Sequence, residues 1–81
     1  MSADMRSVGA IIRAAREQRG LELEELARRA HVQPIVLYNI EEDLEARPPA
    51  AALYFLAKAL ELDYHALLAK GGHLPTRKPD E

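Results

Sequence analysis

Apolar residues recur along this chain at helical intervals, in five short segments separated by turn-forming residues. The first stripe runs through Val8, Ile11, Ile12 and Ala15, one face of a helix of period 3.6. Ser7 precedes it as a side-chain cap, and Gly20 supplies the left-handed stop that follows a helix C-terminus. Arg13, Arg16 and Arg19 lie on the flank of that stripe. A second stripe, Leu23, Leu26, Ala27 and Ala30, has Glu22, Glu24 and Glu25 at its start and Arg28 and Arg29 at its end, charges that suit the helix dipole at both ends. His31 and Val32 form a tight break.

Pro34 then fits the first position of a third helix, where its missing N–H costs nothing. Val36, Leu37 and Ile40 are its inward residues. Residues 43–49 break the pattern, since Pro48 and Pro49 force extended backbone. A fourth helix starts near Pro49 or Ala50 and turns Leu53, Leu56, Ala57 and Leu60 inward. After a turn at Glu61 and Leu62, Asp63 caps a fifth helix with Leu67 and Leu68 inside, stopped by Gly71 and Gly72. Nowhere do apolar and polar residues alternate with period two. The expected architecture is all-α: five helices over residues 7–72, a loose leader at 1–6 and a flexible tail at 73–81, where prolines alternate with charges.

Composition narrows the setting. With 81 residues there is room for one small domain. Cysteine is absent, which excludes disulfides, thiolate metal sites and cysteine nucleophiles and fits a reducing, cytoplasmic setting. No run approaches the roughly 20 apolar residues of a membrane span. The charge balance is 11 Lys+Arg against 13 Asp+Glu, a net charge of -2, which argues against indiscriminate binding to nucleic acid.

The informative stretch is 21–40. A helix bearing Glu24, Glu25, Leu26 and Ala27 meets a three-residue turn, and a second helix follows with Leu37 and Ile40 as anchors. Ala27 is small enough for the helices to cross closely, and Val32 fills the space under the turn. This is helix-turn-helix spacing.

From Val8 to about Leu68 the chain resembles the Cro/repressor-type (Xre-like) helix-turn-helix family. The resemblance is carried by IIRAAREQRGL (11–21), LEELARRAHV (23–32), LYNIE (37–41), RPP (47–49) and LAKAL (56–60), in that order and spacing. It implies a five-helix, lambda-repressor-like domain and a sequence-specific DNA-binding regulator. It also implies a partly buried ion pair between Arg16 and Glu41. The residues agree: Glu41 follows core Ile40 and needs a cation, and Arg16 offers a two-pronged fork.

By the same resemblance the recognition helix covers about 33–42. Gln33, Ile35, Tyr38 and Asn39 are then the base readers, because carboxamides pair with adenine and apolar groups meet thymine methyls. Arg47, before Pro48, matches a basic loop position near the DNA backbone or minor groove. Arg13, Arg28, Arg29 and Lys58 would add phosphate contacts where they face the same side. The chain departs from the usual pattern in three ways. No Lys or Arg lies between Arg29 and Arg47, Glu41, Glu42, Asp43 and Glu45 crowd the end of the helix, and Leu23 stands where a polar donor is common.

Two functions follow. In one, a homodimer binds an operator in double-stranded DNA and represses by occupying a promoter, which needs no second domain. In the other, Pro34, Ile35, Tyr38 and Leu44, rimmed by acids, bind a protein partner as an adaptor or anti-regulator. Dimer contacts are expected from Tyr64, Leu67, Leu68 and Leu74, with Tyr54 and Phe55 as core or dimer surface. An enzyme is not expected. His31 is a turn residue, His65 and His73 are eight apart across Gly71 and Gly72 and lack metal-ligand spacing, and the adjacent pairs Glu24/Glu25 and Glu41/Glu42 point to different faces. No phosphate loop is present, and no cofactor or small-molecule substrate is implied.

Overall fold

The computed structural model describes residues 6–72. The expected leader (except Arg6) and the expected tail, with His73 and Leu74, lie outside the described residues. Five helices follow one another: α1 (Val8–Gln18), α2 (Leu23–Ala30), α3 (Pro34–Glu41), α4 (Ala50–Leu60) and α5 (Tyr64–Lys70). No strand occurs among the described residues.

Each boundary has a local cause. Ser7 caps α1, its hydroxyl accepting from the Ala10 N–H at 3.1 Å. Gly20, at φ 68°, closes the helix in a paired-bond stop: its own N–H reaches the Glu17 carbonyl, and the Leu21 N–H reaches that of Arg16. Asp63 caps α5 by accepting from the His65 and Ala66 N–H groups. Pro34 occupies the first turn of α3.

Three turns are made by residues other than glycine. His31, Asp43 and Glu61 all take the left-handed conformation, at φ 58°, 60° and 58°. That geometry costs an L-residue roughly 1–2 kcal/mol. At His31 it lets the Val32 N–H bond the Ala27 carbonyl at 3.0 Å, turning the chain from α2 into α3 within three residues. Asp43 repeats the device at the end of α3, where the Leu44 N–H reaches Asn39.

The core joins all five helices. Ile12, Leu26, Leu37, Ile40, Leu53, Leu56 and Leu60 are its largest fully buried side chains. Leu67 and Leu68 are also inside it. This corrects their expected role at a dimer contact: the seven-residue α5 uses its leucines to cover its own subunit's core. Helix α3 packs on α1 and α2, whereas α4 packs on α2, α5 and α1. The α3 surface facing away from α1 and α2 is therefore left to solvent.

Gly9 decides how closely α1 approaches the end of α3. A methyl group there would overlap the Ile40 carbonyl oxygen and lie 2.8 Å from Asp43 Oδ1 and 2.9 Å from the Glu41 carbonyl oxygen. Two of these neighbours are backbone and cannot swing aside.

Gly9→Ala should accordingly destabilise the domain by about 1–3 kcal/mol, a melting temperature lower by about 10 °C for a chain of this size. His31→Gly should do the opposite. Relief of the left-handed strain exceeds the added flexibility of the unfolded chain, so a gain of roughly 0.5–1 kcal/mol is expected. Thermal denaturation followed by circular dichroism reads both, and an unchanged midpoint in either variant contradicts the assignment.

Candidate nucleic-acid interface

The outward face of α3 is held from behind by one side-chain cluster. Arg16 Nε donates to Glu41 Oε2 at 2.8 Å, and Arg16 Nη2 to Glu41 Oε1 at 3.0 Å. The remaining edge of the guanidinium donates from Nη1 to the Leu21 carbonyl at 2.8 Å. One planar cation thus ties together the end of α1, the turn into α2 and the end of α3. The Glu41 side chain is 2% exposed and that of Arg16 12%. The hydrogen bonds to Glu41, aided by the surrounding carboxylates, hold the Arg16 pKa above its ordinary, already alkaline value despite the opposing effect of burial. A raised folded-state pKa means that the stabilisation is fully present below the unfolded value and is lost only above it. The pair is therefore intact on the Arg16 side throughout any physiological pH.

A second set of contacts occupies the acids that close α3. Arg13 Nη1 meets Glu42 Oε2 at 3.2 Å, while its Nε meets Glu17 at 3.3 Å. Ser7 Oγ donates to Asp43 Oδ2 at 3.0 Å. Two of the four acids counted against nucleic-acid binding therefore already have partners on α1 or its cap, and Glu41 is buried against Arg16.

The expected base readers share the free face. Ile35, Tyr38 and Asn39 stand at positions i, i+3 and i+4, and Gln33 sits at the N-cap without a side-chain capping bond. Ile35 is 59% exposed and Tyr38 46%. Asn39 is half-buried, and Gln33 is exposed. Among the described residues the Gln33 and Asn39 carboxamides and the Tyr38 hydroxyl have no hydrogen-bond partner, so their polar groups are available to a ligand. Leu44, 66% exposed, adds apolar surface just beyond the helix.

The expected phosphate ligands are more scattered. Arg28 is exposed and unpartnered among the described residues. Arg29 pairs with Glu25 one turn earlier at 2.9 Å. Arg47, in the loop between α3 and α4, donates from Nη2 to the Gly72 carbonyl at 3.0 Å, leaving other N–H groups of its fork for a second acceptor. Lys58 lies 5.6 Å over the Tyr54 ring. That ring meets Phe55 and Tyr64 edge-on, so the Lys58 ammonium belongs to an aromatic surface on α4 and α5. Arg19, not singled out as a ligand, caps α4 by donating to the Leu60 carbonyl at 2.7 Å. The Arg13–Glu42 and Ser7–Asp43 contacts were not legible in the sequence, because each joins residues about thirty positions apart that only the packing of α1 on α3 brings together.

No group of three His, Asp or Glu side chains suited to a metal ion exists among the described residues. No helix among them is long and apolar enough to cross a membrane.

Comparison with known proteins gives a consistent set of similarities. The family described as "Helix-turn-helix domain" matches residues 9–72. The HTH-type transcriptional repressor RghR of Bacillus subtilis (strain 168) is 34% identical over 70 residues, covering 86% of this chain and 52% of that protein. The chain thus spans about half the length of this curated relative. The N-terminal DNA binding domain of SinR from Bacillus subtilis superposes with a TM-score of 0.71 at 33% identity, over 75% of this chain and 88% of that one. SinR in complex with DNA gives 0.69 at 33% identity, over 75% and 97%. The clp gene regulator ClgR from C. glutamicum gives 0.65 at 25% identity, over 86% and 91%.

The Arg16–Glu41 geometry generates an asymmetric expectation. Arg16→Ala strands the more deeply buried carboxylate and should cost about 3–5 kcal/mol. Glu41→Ala should cost less, because Arg16 can turn its head toward solvent. The double variant should lose less than the sum, by about 1–3 kcal/mol. Urea denaturation of the four proteins reads this coupling, and strict additivity would show that the two groups do not support each other.

Proposed function

The chain belongs to the Cro/repressor-type (Xre-like) helix-turn-helix family, and from that membership and the free face of α3 we propose that it is a DNA-binding transcriptional regulator that lays α3 in the major groove. The observation that carries this reading is the pair of unpartnered carboxamides, Gln33 and Asn39, beside Ile35 and Tyr38 on a helix braced from behind. Hydrogen-bonding amides and apolar groups are what base edges in the major groove recognise. The likeness to a SinR structure containing DNA supports the same placement.

In this reading Arg28 and Arg47 hold phosphates, and Arg13, Arg29 and Lys58 contribute from the ion pairs and ring contact they already make. Arg13 also removes part of the repulsion that Glu42 would exert on a phosphate. The protein acts in the cytoplasm as a homodimer on two half-sites about one DNA turn, roughly 34 Å, apart. Tyr54 and Phe55, exposed on α4, are the available apolar side chains for the dimer contact. Repression by occupying a promoter is the simplest mode.

A second reading is favoured by the extent of apolar exposure. Ile35, Tyr38 and Leu44 together form a surface that could receive a protein partner. Salt separates the two readings, since a DNA contact releases counterions and an apolar contact does not.

Binding of the whole chain to duplex DNA, followed by fluorescence anisotropy over a range of salt, should give a log–log slope of about −3.6 or steeper, since Arg28 and Arg47 of two subunits neutralise at least four phosphates. Arg47→Ala should weaken all sequences alike and make the slope less negative by about 1.8, one phosphate contact being lost in each subunit. Asn39→Ala should leave the slope unchanged and erase about 1–3 kcal/mol of preference at one base pair. A flat slope with no sequence preference transfers the surface to a protein partner.

A further inference from the structure

The free face of α3 is selective in what it lacks. The commonest specific contact in the major groove is a bidentate Arg or Lys on guanine O6 and N7. No Arg or Lys occurs on α3 or anywhere between Arg29 and Arg47. Cytosine offers its N4 amino group to a carboxylate, but Glu42, the outward acid one turn beyond Tyr38, already faces the Arg13 guanidinium at 3.2 Å. Helix α3 therefore carries neither the cation that best matches guanine nor an unpaired outward carboxylate for cytosine.

What it does carry matches the other pair. The Gln33 and Asn39 side chains each present a donor beside an acceptor, the pattern complementary to adenine N6 and N7, and neither is used within the described residues. Between them Ile35 projects an aliphatic group that is 59% exposed. The thymine C5 methyl is the one apolar group that ordinary base pairs place in the major groove. Against G·C, the same isoleucine would cover polar edges without bonding them, which costs free energy.

We infer that the base pairs read by α3 are A·T, and that thymine methyl groups packed against Ile35 provide much of the discrimination, with Gln33 and Asn39 on adenines. The inference rests on the DNA-binding reading and deepens it by naming the base chemistry of the site. Tyr38, beside Ile35, has a ring edge for the same methyl surface and a hydroxyl free for a neighbouring phosphate.

The test begins with selection from randomised duplexes by the whole chain, after which single thymines of the selected half-site are replaced by deoxyuridine. That replacement removes a methyl and leaves every hydrogen-bonding group in place. At the contacted position affinity should fall about fourfold, the effect of withdrawing one buried carbon. In Ile35→Ala the thymine and deoxyuridine duplexes should bind alike. Ile35 is exposed, so this variant leaves the core intact and its melting curve checks that; the deoxyuridine comparison needs no variant at all. G·C pairs selected opposite α3, equal affinity for the two duplexes, or salt-dependent binding with no selected sequence would each overturn the inference while leaving DNA binding standing. Absence of both selection and salt dependence would remove the DNA-binding reading itself.

Discussion

The arrangement of this domain depends on one buried ion pair. A short helix such as α3, eight residues long, has little stability of its own, and its orientation is set by what grips its ends. The N-terminal end is set by the left-handed turn at His31 and by Val32 beneath it. The C-terminal end is set by Glu41, whose two carboxylate oxygens are both taken by Arg16. Because the same guanidinium also holds the Leu21 carbonyl, moving α3 would disturb the turn between α1 and α2. A lysine could not hold three acceptors in one plane. The pair's contribution is better regarded as orientation than as net stability, since buried ion pairs often do no more than offset their own desolvation.

Around that pair the C-terminus of α3 is crowded in an orderly way. Gly9 lets α1 come into contact with the Ile40 and Glu41 carbonyls. Asp43 turns the chain away and accepts a hydrogen bond from Ser7, the residue that caps α1. The start of α1 and the end of α3 thus stabilise each other's termini. The acids that make this region unattractive to a polyanion are in large part structural: Glu41 is buried, Asp43 is bonded, and Glu42 is paired with Arg13. Formal charge along a sequence overstates the field at such a surface, because a paired acid acts on a distant phosphate as part of a dipole.

The surface that results is apolar and amide-bearing in its centre, with cations at some distance on other elements. Such a division suits a helix that discriminates by shape and methyl contact while neighbouring loops and helices bind backbone. It also explains why so little of the positive charge is free. Arg19 and Arg47 close helix ends by binding the Leu60 and Gly72 carbonyls, and Arg16 is committed to Glu41 and the Leu21 carbonyl. These arginines work first for the fold.

The five helices were legible from the sequence because the information is local. Apolar spacing, Ser7 and Asp63 as caps, Gly20 as a stop and Pro34 as a first-turn residue each act within a few positions, and the helices lie where those signals put them. The outward placement of Ile35, Tyr38 and Gln33 was implied by the family resemblance, and it agrees with Leu37 and Ile40 lying in the core. The partners across the fold were not legible. That Arg13 would meet Glu42, that Ser7 would reach Asp43 and that Gly9 would allow no side chain are consequences of how α1 and α3 pack. Periodicity says which face of a helix is buried, but not which residue of another helix stands opposite. Contacts between residues distant in sequence exist only after the chain has closed around its core, and only the tertiary structure could decide them.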